Sequence, residues 1–245
     1  MKSELKEKLK YLRLSELITK WDYHLEMAQK NELSYTKFLE SIIDDEFQIK
    51  QENSLKLRLI KAKIPEKYAI ETFPFEKQPK LDKKKIMNIY DSFDYVKNHQ
   101  NVIWMGPTGS GKSGLATSFL IQAINRGYTG KFIMFPELIE ELYKAIADNS
   151  ENEVIKKFSS YDCLLIDEVG YVEVEASQVG LFFTLMHKRH RKKSTIVTSN
   201  IGFSEWASFL KSEQLTAALI DRLTESSYVI NMKGCVSLRP KQPAI

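Results

Sequence analysis

The chain of 245 residues is 43% hydrophobic and 28% charged, which suits one sizeable folded core, or a core with a small appendage, and excludes wholesale disorder. Lys and Arg outnumber Asp and Glu by 36 to 32, and a net charge of +4 does not by itself indicate nucleic acid. Apolar runs stop at about four residues where a membrane span needs about 20, and the charged start MKSELKEKLK lacks the apolar stretch of a secretory signal. A soluble cytoplasmic protein with no membrane partner is expected. Cys163 and Cys235 are too few for a disulfide framework or a zinc site, which fits a reducing compartment.

Residues 1–66 contain no glycine, and their one proline is Pro65. Leu5, Leu9 and Leu12 fall at helical spacing, as do Leu17, Ile18, Trp21 and Leu25, with Ser15 as an N-cap between these two helices. A longer amphipathic helix begins near Ser34, carries Tyr35, Phe38, Leu39, Ile42, Ile43 and Phe47 on one face, and runs on toward Pro65. The spacing predicts a small all-helical N-terminal domain over 1–66; the role expected for it, DNA or partner binding or oligomerisation, comes from the family resemblance given below and not from the spacing. Residues 68–83 read as a linker or packed irregular segment. Ile86, Ile89, Tyr90, Phe93 and Val96 then mark one amphipathic helix.

From there the pattern changes to short apolar runs at Asn101–Met105, Lys131–Phe135, Cys163–Asp167, Thr195–Ser199 and Tyr228–Met232. Helical patterns at Lys112–Asn125, Glu137–Ala147, Ser177–Lys188 and Thr216–Leu223 separate them. Strand and helix alternating in this way predict an α/β fold, a five-stranded parallel sheet flanked by helices.

Between the first strand and its helix lies Gly106-Pro107-Thr108-Gly109-Ser110-Gly111-Lys112-Ser113, which fits the phosphate-loop pattern G-x-x-x-x-G-K-[ST]. The glycines let backbone N–H groups point into a concave loop, and the helix start adds positive potential. Lys112 can reach the β- and γ-phosphates, and the Ser113 hydroxyl can ligate Mg²⁺. The third strand ends in Asp167-Glu168. At the carboxyl end of a parallel strand, where ligands bind, Asp167 can hold Mg²⁺ and Glu168 can orient or deprotonate water attacking the γ-phosphate. Asn200, just after the fourth strand, can hydrogen-bond that water or the γ-phosphate. Arg222 can project to a neighbouring subunit's γ-phosphate, or simply pair with Asp221.

Two basic groups stand out: Lys56, Arg58, Lys61 and Lys63, and the block His187–Lys193 with Lys188, Arg189 and Arg191. Each reads either as a contact to nucleic-acid phosphates or as a solvated helix end. Neither has the interleaved aromatics of a single-strand platform, so duplex is the better fit.

Together these segments resemble the AAA+ ATPases, specifically the IstB-type transposition helpers and the related DnaC-type helicase loaders. The resemblance is most detailed in Leu165-Ile166-Asp167-Glu168-Val169-Gly170-Tyr171, in Ser194–Asn200 followed by Phe203-Ser204-Glu205-Trp206, and in Ala218–Leu223. Leu12-Arg13-Leu14 also looks like that family. The resemblance covers nearly the whole chain. It implies Lys112 and Ser113 as Walker A residues, Asp167 and Glu168 as Walker B, Asn200 as first sensor and Arg222 as arginine finger. It further implies an ATP- and Mg²⁺-dependent ATPase that oligomerises on double-stranded DNA, with ATP sites at subunit interfaces, and assists the transposase of an insertion sequence. A helicase loader is the alternative, and a small-molecule kinase is disfavoured by the Asp167–Glu168 pair with Asn200. The expected ATPase domain spans 67–245 without a C-terminal helical lid. One departure is Ser237 where the family places an arginine, which leaves a second-sensor role for Arg239 doubtful.

Overall fold

The glycine-free start of the chain folds as helices α1 (Ser3–Tyr11), α2 (Ser15–Thr19), α3 (Trp21–Lys30) and α4 (Tyr35–Ala62). The structure, a computed structural model, describes residues 1–172 and 174–239. Its contacts divide the chain into one unit over Met1–Leu57 and a second from Arg58 onward, with α4 running from the first into the second. In the first unit the buried apolar residues are Leu9 and Leu17. So small a core leaves much to polar contacts. Glu46 of α4 is buried and accepts the backbone N–H groups of Glu16 and Leu17 at 2.9 and 3.0 Å. A carboxylate from another helix therefore satisfies the open N-terminus of α2. Ser15, expected as the cap, is instead the first residue of α2.

The second unit continues through α5 (Lys83–Ser92), α6 (Asp94–Lys97), β1 (Asn101–Met105), α7 (Lys112–Asn125), β2 (Gly130–Met134), α8 (Phe135–Ala147) and α9 (Glu151–Ser160). It closes with β3 (Cys163–Val169), α10 (Ala176–Arg189), β4 (Ser194–Ser199), α11 (Trp206–Leu210), α12 (Glu213–Thr224) and β5 (Ser227–Asn231). The five strands are all parallel, in the order β2-β3-β4-β1-β5. The three inner strands, β3, β4 and β1, are buried almost throughout, as a parallel sheet covered on both faces requires. Among the described residues no helix is long and apolar enough to cross a membrane.

Several boundaries differ from expectation for identifiable reasons. Pro136 needs no hydrogen bond from its nitrogen in a first helical turn, so α8 starts at Phe135 and β2 ends one residue sooner than the apolar run suggests. The single helix expected over Ile86–Val96 is broken at Phe93, which adopts a left-handed φ of 61°. Its buried ring packs on Tyr95 and Tyr128 and under the Arg126 guanidinium. Trp206, from the Phe-Ser-Glu-Trp segment, is a core residue, fully buried against Phe203 and Phe209.

The basic block divides in the same way. Arg189 is 1% exposed, and its guanidinium donates to the Phe158 and Tyr161 carbonyls at 2.8 Å each, to the Ser194 carbonyl, and to Thr195 Oγ1 at 3.0 Å. It ties the end of α9 to the start of β4 and has no face left for DNA, which corrects the expectation that it is a DNA contact. Lys188 and Arg191 are exposed, with Arg191 paired to Glu225. Arg189→Met, which leaves three carbonyls without their donor, is expected to cost about 3 kcal/mol in urea unfolding, and Lys188→Met less than about 0.5 kcal/mol. Equal, small effects would mean that the buried guanidinium does not hold these elements together.

Candidate nucleotide site

β1 lies between β4 and β5, and its carboxyl end opens into the loop Gly106–Gly111, from which α7 starts at Lys112. Gly109 and Gly111 adopt φ of +80° and +94°, a region that favours glycine. Space adds a second reason at Gly111, where a Cβ would stand 2.5 Å from the Phe73 ring. Lys112 folds back over its own loop, donating to the Gly106 and Pro107 carbonyls at 2.7 and 2.9 Å. Burial pushes its proton affinity down, while the Asp167 and Glu168 carboxylates push it up.

Asp167, near the end of β3, is 4% exposed. Its Oδ1 accepts the Ser113 hydroxyl at 3.0 Å and the Thr198 hydroxyl from β4. The same Thr198 oxygen accepts the backbone N–H of Glu168 at 3.0 Å. One hydroxyl thus serves as donor and acceptor and locks β4 to both acidic positions. Side chains alternate faces along a regular strand, but the β3–β4 register shifts between Ile166 and Val169, and Glu168 takes a left-handed φ of 62°. This bulge lets Glu168 line the same cavity as Lys112, Ser113, Thr198 and Asn200. The Asn200 side-chain oxygen is buried and has no hydrogen-bond partner among the described residues. Across the mouth, the Tyr171 and Thr108 hydroxyls meet at 2.8 Å.

The cavity holds about 480 Å³, within the range of small-molecule sites. Sequence reasoning did not assign two of its walls. Tyr68–Pro74, read as a linker or a packed irregular segment, is the latter and lines one side, with the Tyr68 ring over Gly114 and the Phe73 ring over Gly111. Leu238 and Arg239 line another, and the Leu238 N–H donates to the Gly109 carbonyl at 2.8 Å. Thr198 was also missed. A threonine in a β-branched strand looks like ordinary strand composition, and its one signal is proximity to Asn200.

Arg222, on α12, is not among the residues lining the cavity. Its Nε donates to His187 Nδ1 at 3.1 Å, its Nη1 to the Ala218 carbonyl at 2.9 Å, and its guanidinium lies over the Phe183 ring. Among the described residues Asp221 makes no ion pair with it. Lys56 and Lys61 are exposed on α4 and Lys63 just beyond it, whereas half-buried Arg58 donates to the Ile124 carbonyl at 3.4 Å. The hydroxyl of Ser113 and the carboxylate of Asp167 lie 3.0 Å apart, and oxygen donors of this kind suit a hard cation such as Mg²⁺.

The description "IstB-like ATP binding protein" matches residues 7–244. The insertion sequence IS21 protein of Pseudomonas aeruginosa is 32% identical over 94% of this chain and 87% of its own length. The IS232 protein of Bacillus thuringiensis subsp. berliner is 29% identical over 94% and 92%. Among solved structures, DnaI aligns with a TM-score of 0.54 at 20% identity, over 65% of this chain and 94% of its own. AMPPCP-bound DnaA from Aquifex aeolicus aligns at 0.55 and 18%, over 69% and 51%. These likenesses show an AAA+ fold.

Lys112 gives a pH prediction. Because its proton affinity in the free protein is lowered, its ammonium is lost below the ordinary lysine range, and a triphosphate prefers the charged form. ATP affinity is therefore expected to fall as pH rises toward that range, and Lys112→Arg, which stays charged, should flatten the fall in a fluorescence titration. Affinity that holds steady up to the ordinary lysine value would contradict this.

Proposed function

Because this chain belongs to the IstB-like ATP-binding proteins and carries their P-loop AAA+ core, we propose that it hydrolyses ATP as an oligomer on duplex DNA and thereby assists an insertion-sequence transposase. The observation that carries the hydrolytic reading is the bulge that turns Glu168 into the cavity beside Asp167, Thr198 and Asn200.

The triphosphate lies along the loop N–H groups, and its base and sugar lie against the wall formed by Tyr68–Pro74. Lys112 exchanges the Gly106 and Pro107 carbonyls for phosphate oxygens. Ser113 and Asp167 would hold Mg²⁺, which would supply neutralising charge to the phosphates. Glu168 takes the proton of the attacking water, and Asn200 orients that water through its unpaired amide oxygen. Arg222 lies outside the cavity lining of its own chain, which supports a role at a neighbour's γ-phosphate across a subunit interface. The match over residues 7–244 to insertion-sequence relatives, against 65% coverage for DnaI, favours transposition over helicase loading. The candidate DNA contacts are Lys188 and Arg191 from the second block and Lys56, Lys61 and Lys63 from the first, since Arg58 is partly committed to α7.

Glu168→Gln is expected to bind ATP as wild type does while steady-state phosphate release falls at least about a hundredfold. Undiminished turnover would reject Glu168 as the base. Arg222→Ala should keep nucleotide affinity and lose hydrolysis, with partial recovery on mixing with Lys112→Ala. A fully active Arg222→Ala protein would remove the trans role. If Lys188 and Arg191 neutralise phosphates, duplex affinity should fall by about 0.9 log units per contact for each tenfold rise in salt. Charge reversal at both should then weaken all duplex sequences alike and flatten that slope. An unchanged slope would leave Lys56, Lys61 and Lys63 as the remaining candidates.

A further inference from the structure

Gln78 follows the short 3-10 turn Phe75–Lys77 and is only 1% exposed. A buried primary amide needs partners for its N–H groups and its oxygen, and Gln78 finds them on two segments distant in sequence. Nε2 donates to the Val236 carbonyl at 2.7 Å and to the Ser110 carbonyl at 3.2 Å, while Oε1 accepts the Val236 N–H at 2.9 Å. The two bonds to Val236 imitate the exchange between paired strands. They hold the segment after β5 and leave one amide hydrogen for the phosphate loop.

That hydrogen bond has a geometric consequence. In a trans peptide the carbonyl and the following N–H point in opposite directions, and the chain has no cis peptide bonds among its described residues. Gln78 and Ser110 do not line the cavity, whereas Gly111 does. Holding the Ser110 carbonyl on the far side therefore turns the Gly111 N–H toward the cavity. One residue earlier, the Leu238 N–H takes the Gly109 carbonyl, so the segment that Gln78 anchors restrains the loop at a second point.

We propose that Gln78 is a positioning residue for phosphate binding: it fixes the Ser110–Gly111 peptide so that the Gly111 N–H faces the phosphates, and it clamps the segment around Val236–Leu238 against the same loop. This rests on nucleotide binding alone and is independent of hydrolysis or of DNA. Without the clamp, the peptide is free to rotate, and a bound phosphate must supply the ordering that the amide now supplies in advance.

The test uses inorganic tripolyphosphate, which has no base to contact the Tyr68–Pro74 wall, with the full-length protein and calorimetric detection. Gln78→Met keeps the side-chain length and removes the hydrogen bonds. It is expected to weaken tripolyphosphate about three- to tenfold and to leave the ratio to wild type constant with pH. Gln78→Glu keeps the shape but donates only when protonated. Its deficit is expected to exceed that of Gln78→Met at pH 8 and to shrink as pH falls through the carboxyl titration, a rescue that loss of packing would not produce. In the unsubstituted protein, the Gly111 amide resonance must move when tripolyphosphate is added. Wild-type tripolyphosphate affinity in Gln78→Met, or a Gly111 resonance that stays in place, overturns the proposal.

Discussion

The Asp167 carboxylate is almost fully buried, and a buried charge is tolerated only where donors surround it. The Ser113 and Thr198 hydroxyls meet this need at a single oxygen, one from the start of α7 and the other from β4. The strand order makes the convergence possible, since β4 lies directly between β3 and β1. Thr198 also receives the N–H of Glu168, so the bulge that re-aims the second acid is secured by the same hydroxyl. The phosphate-loop segment, β3 and β4 are thus arranged around one electrostatic requirement, and the cavity is the space they leave.

Much of this was legible in the sequence because the informative segments combine a spacing rule with a chemical one. The phosphate loop is read from glycines and a lysine between a strand and a helix, and α7 begins and ends where the pattern places it. The acidic pair is read from its place at the end of an apolar run. The bulge was not legible: Asp167-Glu168-Val169 carries no glycine at the left-handed position, and the cost of that conformation is met by tertiary contacts that a local pattern cannot report. The Tyr68–Pro74 wall was hidden for a related reason. An irregular segment with prolines has no periodicity, so its packing against Gly111 and Gly114 appears only in three dimensions.

The basic block shows the limit of reading charge from composition. Consecutive residues from His187 to Lys193 look alike as a string, yet the turn from α10 into β4 sends them in different directions. Arg189 points inward, where its planar fork satisfies carbonyls from two elements. His190 and Arg191 meet Glu225, Lys193 meets Asp162, and His187 supports Arg222. A run that suggests one electrostatic patch is in large part structural bonding at the amino ends of the strands.

The cavity draws its walls from residues as early as Tyr68 and as late as Arg239, and a ribosome delivers these in order. At about 5–20 residues per second, the phosphate loop leaves the exit tunnel some ten seconds before Leu238 can donate to Gly109. For that interval the nascent chain holds the loop without the segment that closes over it. The wall that restrains the loop through Gly109 is therefore made well after the loop itself.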